Sequence, residues 1–352
     1  MQNSVVVTGG CGFIGSHFVR LLRAARPDWR VVNLDKLTYA GNLGNLTDIG
    51  ESGHYRFVHG DIVDADLMNG LVREEQPWGI VNFAAESHVD RSILDPAPFL
   101  RTNVFGAQVL LDAVRQGGIK RFVQISTDEV YGDVQTGQPP DEEAALRPSS
   151  PYAASKGAAD LLALSYHRTY GIPILIARSA NNYGPHQFPE KLIPLMIRNA
   201  LAGEILPVYG DGAQVRDWLH VGDNCTAILQ VLEHGRLGAV YNVGADEHRP
   251  NIDVVRAICR LVAEETRVDP QAILTRIQSV PDRPGHDRRY VMDSRRIRAE
   301  LGWTPATRFQ DGLRTTIRWY LEHQDWTERV TSGDYRAYYE AVYRRNWGAH
   351  GS

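Results

Sequence analysis

The chain has 352 residues, a formal net charge of −4, 43% hydrophobic residues and 23% charged residues. That length accommodates one large α/β domain or two lobes around a sizeable core, and so mild an acidity gives no footprint for nucleic acid or an anionic membrane as partner. Cys11, Cys225 and Cys259 show no metal-type spacing and no disulfide framework, which suits a reducing cytoplasm. The first strand-like run starts almost at once, leaving no room for a signal peptide, and no run of about 18 apolar residues predicts a membrane span.

Residues 4–8 read as a short buried strand. Gly9, Gly12 and Gly15 follow at three-residue spacing, and a helix-like segment runs to residue 26. Glycines there permit a tight turn and let backbone approach a pyrophosphate at a helix N-terminus. Asp35 ends the run 30–34 and lies 20 residues past Gly15, from where an acid binds a ribose 2′-hydroxyl. Its carboxylate favours NAD over NADP by repelling a 2′-phosphate, an argument that the neighbouring cation Lys36 weakens.

Apolar runs near 4–8, 30–34, 55–59, 79–85, 120–126 and 172–178 alternate with periodic segments near 13–25, 64–75, 97–115 and 151–170. This is the βαβ rhythm of a doubly wound parallel sheet. Asp61 and Ile62 follow the third run, while Ala84, Ala85 and Ser87 stand at the close of the fourth. After residue 180 the rhythm breaks among Pro185, Pro189, Pro194 and Pro207, with a strand–helix pair near 239–265 and a Pro/Gly/Arg-rich stretch at 281–289. The expectation is a first domain over 1–180 and a smaller α/β lobe over 181–352, interleaved with no linker between them.

Thr127, Asp128 and Glu129 follow the apolar stretch 122–126, where a buried strand would emerge, and open α/β sheets place chemistry at the carboxyl ends of strands. Tyr152 and Lys156 are four residues apart and share a helix face. An ammonium beside a phenol favours the phenolate, a base for a sugar hydroxyl. Taken alone, Asp128 and Glu129 read as a helix-start acid pair, Tyr152 as a packing tyrosine and Lys156 as a solvated cation. Together with the glycine turn they suggest one pocket that oxidises, dehydrates and reduces. Arg216, Arg283, Arg288 and Arg289 are candidates to clamp a diphosphate. His88 and His286 lack a second ligand at proper spacing, so no metal is expected. Trp218, Trp303 and Trp319 read as core.

The blocks 8–16, 35–42, 84–92, 126–132, 181–185, 188–194, 216–218 and 282–287, together with Tyr152 and Lys156, resemble the extended short-chain dehydrogenase/reductases. Within them the chain is similar to the dTDP-glucose 4,6-dehydratases over nearly its whole length. The first block is shared with sugar-nucleotide epimerases and decarboxylases; the Thr-Asp-Glu triplet discriminates. The resemblance implies a Rossmann-type domain with a C-terminal substrate lobe, and a homodimer through the helices near 97–115 and 151–170.

It further implies an NAD site of Gly9, Gly12, Phe13, Ile14, Gly15, Asp35, Lys36, Thr38, Asp61, Ile62, Ala84, Ala85, Thr102, Tyr152, Lys156 and Asn182. A site for dTDP-glucose would comprise Ser87, Thr127, Asn181, Lys191, Leu192, Pro207, Tyr209, Arg216, Asn251, Asp282, Arg283, His286 and Tyr343. Thr127, Asp128, Glu129, Tyr152 and Lys156 would carry oxidation at C4, loss of water across C5–C6 and reduction at C6. Cys11, Ser179-Ala180 and His186 depart from the family pattern and bear on fine substrate preference. Two alternatives remain at this point: a UDP-sugar dehydratase, epimerase or decarboxylase, and a non-catalytic NAD-sensing regulator. Thymidine and uridine nucleotides differ by one methyl, which a pocket discriminates by only ~1–3 kcal/mol.

Overall fold

The computed structural model describes residues 3–331 except Glu51 and Gln135. In chain order the first half contains β1 (Ser4–Thr8), α1 (Phe13–Ala25), β2 (Arg30–Asp35), β3 (Tyr55–His59), α2 (Ala65–Glu75), β4 (Gly79–Asn82), α3 (Val89–Leu94), α4 (Ala97–Phe99), α5 (Ala107–Gly117), β5 (Arg121–Thr127), α6 (Pro151–Tyr170) and β6 (Ile174–Ser179). The second half contains β7 (Asn181–Tyr183), α7 (Leu192–Ala202), β8 (Leu206–Tyr209), β9 (Val215–His220), α8 (Val221–His234), β10 (Val240–Val243), β11 (His248–Pro250), α9 (Asn251–Thr266), α10 (Pro270–Leu274), β12 (Ile277–Val280), α11 (Arg295–Leu301), α12 (Phe309–Glu322) and α13 (Gln324–Val330).

Seven strands form one parallel sheet in the order β10-β6-β5-β4-β1-β2-β3. Each central strand is aliphatic on both faces, as a sheet covered on two sides requires. Val5, Val7, Val31, Val81 and Val123 pack with α1 and α8, whereas Val6, Val32, Ile80 and Phe122 pack with α2 and α5. The chain order reverses between β1 and β4, and the crevice beyond those strand ends is the expected ligand site. All six predicted strands and the four predicted long helices are present. β4 ends at Asn82 rather than near 85, because Phe83 to Ser87 leave the sheet toward that crevice.

Local chemistry explains the elements that carry the site. Ser150 caps α6 by accepting the Ala153 N–H at 3.1 Å, and Pro151 occupies its first turn. A π-helical stretch over Leu100–Gly106 joins α4 to α5, a geometry concentrated at functional sites. Its Asn103 side chain bonds the Glu86 N–H and carbonyl at 2.9 and 3.0 Å and the Ser155 hydroxyl at 2.8 Å. That amide thus ties the segment after β4 to α6.

The second half builds a lobe in which α7, α9 and α12 pack around Ile197, Val254, Ile258, Leu313 and Ile317. It holds a three-stranded sheet, β11-β9-β7, and a two-stranded one, β12-β8. It also returns α8, α11 and β10 to the large sheet, with β10 running parallel to β6.

A buried ion pair locks α6 to β6. Arg178 Nε donates to Asp160 Oδ2 at 2.9 Å, and the same oxygen accepts from the Ser126 hydroxyl at 2.9 Å. Arg178 Nη1 donates to the Tyr131 hydroxyl at 2.8 Å, which donates onward to Asn242 Oδ1 at 2.7 Å. Removing one partner of a buried pair strands the other charge and costs about 3–5 kcal/mol. Arg178→Met should lower the melting temperature by roughly 10 °C, and adding Asp160→Asn should recover at least half of that loss. Differential scanning calorimetry of both variants checks this; a double variant no better than the single one refutes the pairing argument.

Candidate active site

A cavity of about 300 Å³ runs along the carboxyl ends of β1, β2, β4, β5 and β6. Its lining includes every residue expected for the dinucleotide: Gly9, Gly12, Phe13, Ile14, Gly15, Asp35, Lys36, Thr38, Asp61, Ile62, Ala84, Ala85, Thr102, Tyr152, Lys156 and Asn182. At one end the glycine turn meets the N-terminus of α1, whose cap, Gly12, offers no side-chain bond to the free N–H groups of the first turn. A Cβ on Gly15 would lie 2.2 Å from the Gly9 carbonyl oxygen, so that turn admits only glycine.

Asp35 accepts the N–H groups of Cys11 at 2.9 Å and Leu37 at 2.8 Å. Burial pushes its carboxyl above the ordinary range, and those two bonds oppose the push. Lys36 is engaged by Asp61 at 2.7 Å, so its charge is partly neutralised beside Asp35.

Thr127, Asp128 and Glu129 stand at the other end, together with Tyr152 and Lys156. Thr127 is the last residue of β5 and caps the short turn Asp128–Tyr131 by accepting the Glu129 N–H at 3.3 Å. Its hydroxyl donates to Asp128 Oδ1 at 3.1 Å. The acid pair therefore does start a helical turn, as the bland reading of it holds, but it does so at the wall of a cavity. Asp128 Oδ2 and Glu129 Oε2 are buried without a hydrogen-bond partner.

Burial, then the neighbouring Glu129, pushes the Asp128 carboxyl up to about 8 against the pull of Arg216. Burial also raises Glu129, opposed by Arg283, Arg216 and Lys191. Carboxylates thus crowd Asp128, while cations gather on Glu129.

Tyr152 and Lys156 do share one face of α6, but the electrostatics expected of them need correction. Lys156 Nζ donates to the Ile125 carbonyl at 2.5 Å. Burial brings its ammonium down to about 8, with Asp160 opposing. Burial, then Glu129, holds the Tyr152 phenol well above its ordinary value, with the Thr127 hydroxyl pulling the other way. In so dry a site the cost of a buried phenolate outweighs its helical neighbour, so the resting tyrosine is protonated.

A second cavity of about 150 Å³ shares Glu129, Asn181, Glu190 and Lys191 with the first. Leu192, Pro207, Tyr209, Arg216, Asn251, Arg283 and His286 line it, as expected for a sugar nucleotide, whereas Ser87 and Thr127 line the first cavity. Asp282 lines neither. Its carboxylate lies 2.5 Å from His286 Nδ1 and accepts from Gln214 at 3.0 Å, so it orients His286 instead. Tyr343 lies outside the described residues.

Arg216 stacks on the Tyr290 ring at 4.2 Å and donates to the Asp287 carbonyl at 2.9 Å. Arg288 pairs with Asp211 at the surface, and neither it nor Arg289 lines either cavity. Metal-donor atoms of Asp217, Asp246 and His248 lie within 4.8 Å of one another, but Asp217 is committed to the N–H groups of Ala245, Asp246 and Glu247.

Sequence reasoning missed Asp90, Glu190 and Tyr39. Asp90 pairs with Arg283 at 2.9 Å and accepts from the Tyr209 hydroxyl at 3.1 Å. All three stand inside blocks that carry the resemblance, yet no spacing rule connects partners so far apart along the chain.

The family model described as GDP-mannose 4,6 dehydratase matches residues 6–316. A dTDP-glucose 4,6-dehydratase of Xanthomonas campestris pv. campestris (strain B100) is 51% identical over 341 residues, 94% of this chain and 97% of that protein. The chain belongs to the dTDP-glucose 4,6-dehydratase family. A solved dTDP-glucose 4,6-dehydratase from Streptomyces venezuelae with NAD and TYD bound is 48% identical, with a TM-score of 0.86 over 93% of this chain and 99% of that one. A UDP-glucose 4-epimerase of Thermotoga maritima with UDP-glucose is 28% identical, with a TM-score of 0.82 over 91% and 99%. The fold is thus shared beyond the dTDP-glucose 4,6-dehydratases.

The raised Asp128 carboxyl has a consequence for stability. Unfolded, it ionises near 3.8; folded, at about 8. Its favourable contribution is complete below pH 4, drains away between those values and is gone above pH 8. Asp128→Asn stays neutral throughout, so it should melt higher than the parent at pH 8, by roughly 5 °C, with the gap closing toward pH 4. Melting curves across that range measure it. A variant less stable than the parent at pH 8 would show that Asp128 rests ionised.

Proposed function

We propose that the chain dehydrates dTDP-glucose to dTDP-4-keto-6-deoxyglucose, as a hydro-lyase with tightly held NAD. One observation carries the reading: a Thr-Asp-Glu triplet, with Thr127 and Asp128 buried, and a Tyr-x-x-x-Lys pair line one cavity that ends in a glycine turn. That cavity fits NAD. The uncapped start of α1 suits a pyrophosphate, Asp35 suits an adenosine ribose, and the buried Asn181 Oδ1 and Asn182 Oδ1 lack partners of their own. When bound, NAD supplies the hydride acceptor for oxidation at C4 and the donor for reduction at C6.

The chain's own residues move the protons. Tyr152 takes the proton of the 4-hydroxyl, with Thr127 placed to hydrogen-bond the 4-oxygen as charge develops. Because the phenol rests protonated, it must lose that proton before or during binding, and Lys156 is the cation at hand on its helix face. The ketone acidifies C5. Glu129, favoured in its ionised form by Arg283, Arg216 and Lys191, removes the C5 proton. Asp128, favoured in its acid form, protonates the departing 6-hydroxyl, and water leaves. Glu129 then returns a proton to C5 as C6 is reduced.

Arg216 and Arg283 line the second cavity, where their guanidinium groups suit a diphosphate. A homodimer is part of the same reading. Leu94, Leu100, Phe105 and Leu161, on α3, the π-helical stretch and α6, are 47–70% exposed, and large apolar side chains left exposed on these elements support it. A cytoplasmic location is supported by three unpaired cysteines. Sedimentation should report twice the chain mass, and Leu100→Lys should shift the protein toward monomer.

Rapid mixing with dTDP-glucose tests the division of roles. Tyr152→Phe should form no NADH. Asp128→Asn should oxidise C4, accumulate bound NADH and lose about 10²–10⁴-fold in turnover. Substrate deuterated at C4 should give product deuterated at C6, with solvent hydrogen at C5. NADH accumulation by Tyr152→Phe, or parent-rate turnover by Asp128→Asn, removes the assignment.

A further inference from the structure

The loop after β2 faces two ways. Thr38, Ala40 and Gly41 line the first cavity, while Tyr39 between them packs into the second lobe. Its ring meets Phe188 edge-on with centroids 5.4 Å apart, and its hydroxyl donates to Glu190 Oε1 at 3.0 Å. Arg91, from α3, lies 3.9 Å over the same ring and donates Nε to Glu190 Oε2 at 3.3 Å. Three segments remote in sequence therefore close on one carboxylate, itself buried and part of the wall of both cavities.

The loop behind Tyr39 is held stiffly. Leu37 adopts a left-handed φ of 55° and donates its N–H to Asp35 Oδ1 at 2.8 Å. A Cβ on Gly41 would lie 2.7 Å from that same oxygen. A pinned loop cannot swing away alone, so the Tyr39–Glu190 bond ties the ribose-side wall of the cavity to the Phe188–Lys191 wall contributed by the second lobe. The tie joins a phenol and a guanidinium to one carboxyl group, and hydrogen bonds with an ionised partner are stronger than neutral ones.

We infer that Tyr39, Arg91 and Glu190 are positioning residues that latch the cavity around its dinucleotide and keep the reduced form in place until C6 has been reduced. This rests on the reading above, in which a hydride removed from C4 is needed again two steps later. The demand on retention is unusual. An ordinary dehydrogenase must release its reduced cofactor, whereas here each release would strand a 4-keto sugar and leave the chain unable to finish.

The test uses the protein as purified, beside Tyr39→Phe and Arg91→Lys. Bound NAD is followed after gel filtration, and the products of turnover are separated with and without added NAD. The latch predicts that the parent retains NAD and that Tyr39→Phe loses it about tenfold faster, the effect of one hydrogen bond to a carboxylate. It also predicts that this variant releases NADH and a 4-keto-glucose nucleotide during turnover, and that added NAD restores the rate. Arg91→Lys, which keeps the charge and loses the planar stack, should show the same defect more weakly.

A merely structural role would lower the melting temperature of the NAD-saturated variants without producing the aborted sugar. Parent-like retention and no aborted product in both variants overturn the latch and leave the dehydratase reading standing. A parent that retains no NAD overturns that reading, and the latch with it.

Discussion

Two carboxyl groups on consecutive residues are costly to ionise together where burial strips away much of their water. At close range, with weak screening, their repulsion and the cost of desolvating each charge act together. Asp128 and Glu129 stand under that constraint, and much of the surrounding structure answers it. Arg216, Arg283 and Lys191 converge on Glu129. Arg216 is buried, Arg283 and Lys191 are partly so, and each has support of its own: Arg283 has Asp90, Lys191 has the Ser87 carbonyl at 2.7 Å, and Arg216 has the face of Tyr290 and the Asp287 carbonyl. The charge pattern propagates outward from the acid pair in this way until it reaches solvent.

The fold makes the arrangement affordable. β5 delivers Thr127 at its carboxyl end, and the turn that follows carries both acids. α6 presents Tyr152, Lys156 and Asp160 at intervals of four, along one stripe of the helix. Asp160, farthest from the chemistry, takes Arg178 and Ser126 as partners. The reactive end of the stripe is thereby anchored through Asp160 and Arg178, which do not line the cavity, and through Ser126, which does. Asn103 fixes the opposite side through Glu86 and Ser155.

Much of this was legible in the chain itself. Strands buried on both faces appear as short apolar runs, and amphipathic helices between them give the doubly wound order. Local motifs also place their residues well: the glycine turn, Asp35, and the triplet followed by Tyr152 and Lys156 all reach one cavity. Legibility fails where the controlling partner is distant. β7, β8, β11 and β12 have three or four residues each, too few to show a period. Glu190 gains its meaning only from Tyr39 and Arg91. Asp282, inside a recognisable block, turns out to hold His286 rather than face either cavity. The protonation of Tyr152 was misjudged for a related reason, since helix spacing gives a neighbour but says nothing of how dry the place is.

The outermost strand of the large sheet has a consequence for how the molecule is made. β10 lies against β6, although the chain leaves β6 at Ser179 and returns only at Val240. As the polypeptide emerges from a ribosome, β1 to β6 are available early, but β6 must wait as an open edge, with the backbone of Ile176 to Ser179 unpaired on that side. Much of the second lobe has appeared before the edge is covered. The two halves therefore mature together, and a nascent chain stalled between Ser179 and Val240 presents an adhesive strand to its neighbours. A crossover between two such proteins anywhere in that interval would pair one parent's β6 with the other's β10, so this seam must match for the hybrid sheet to close.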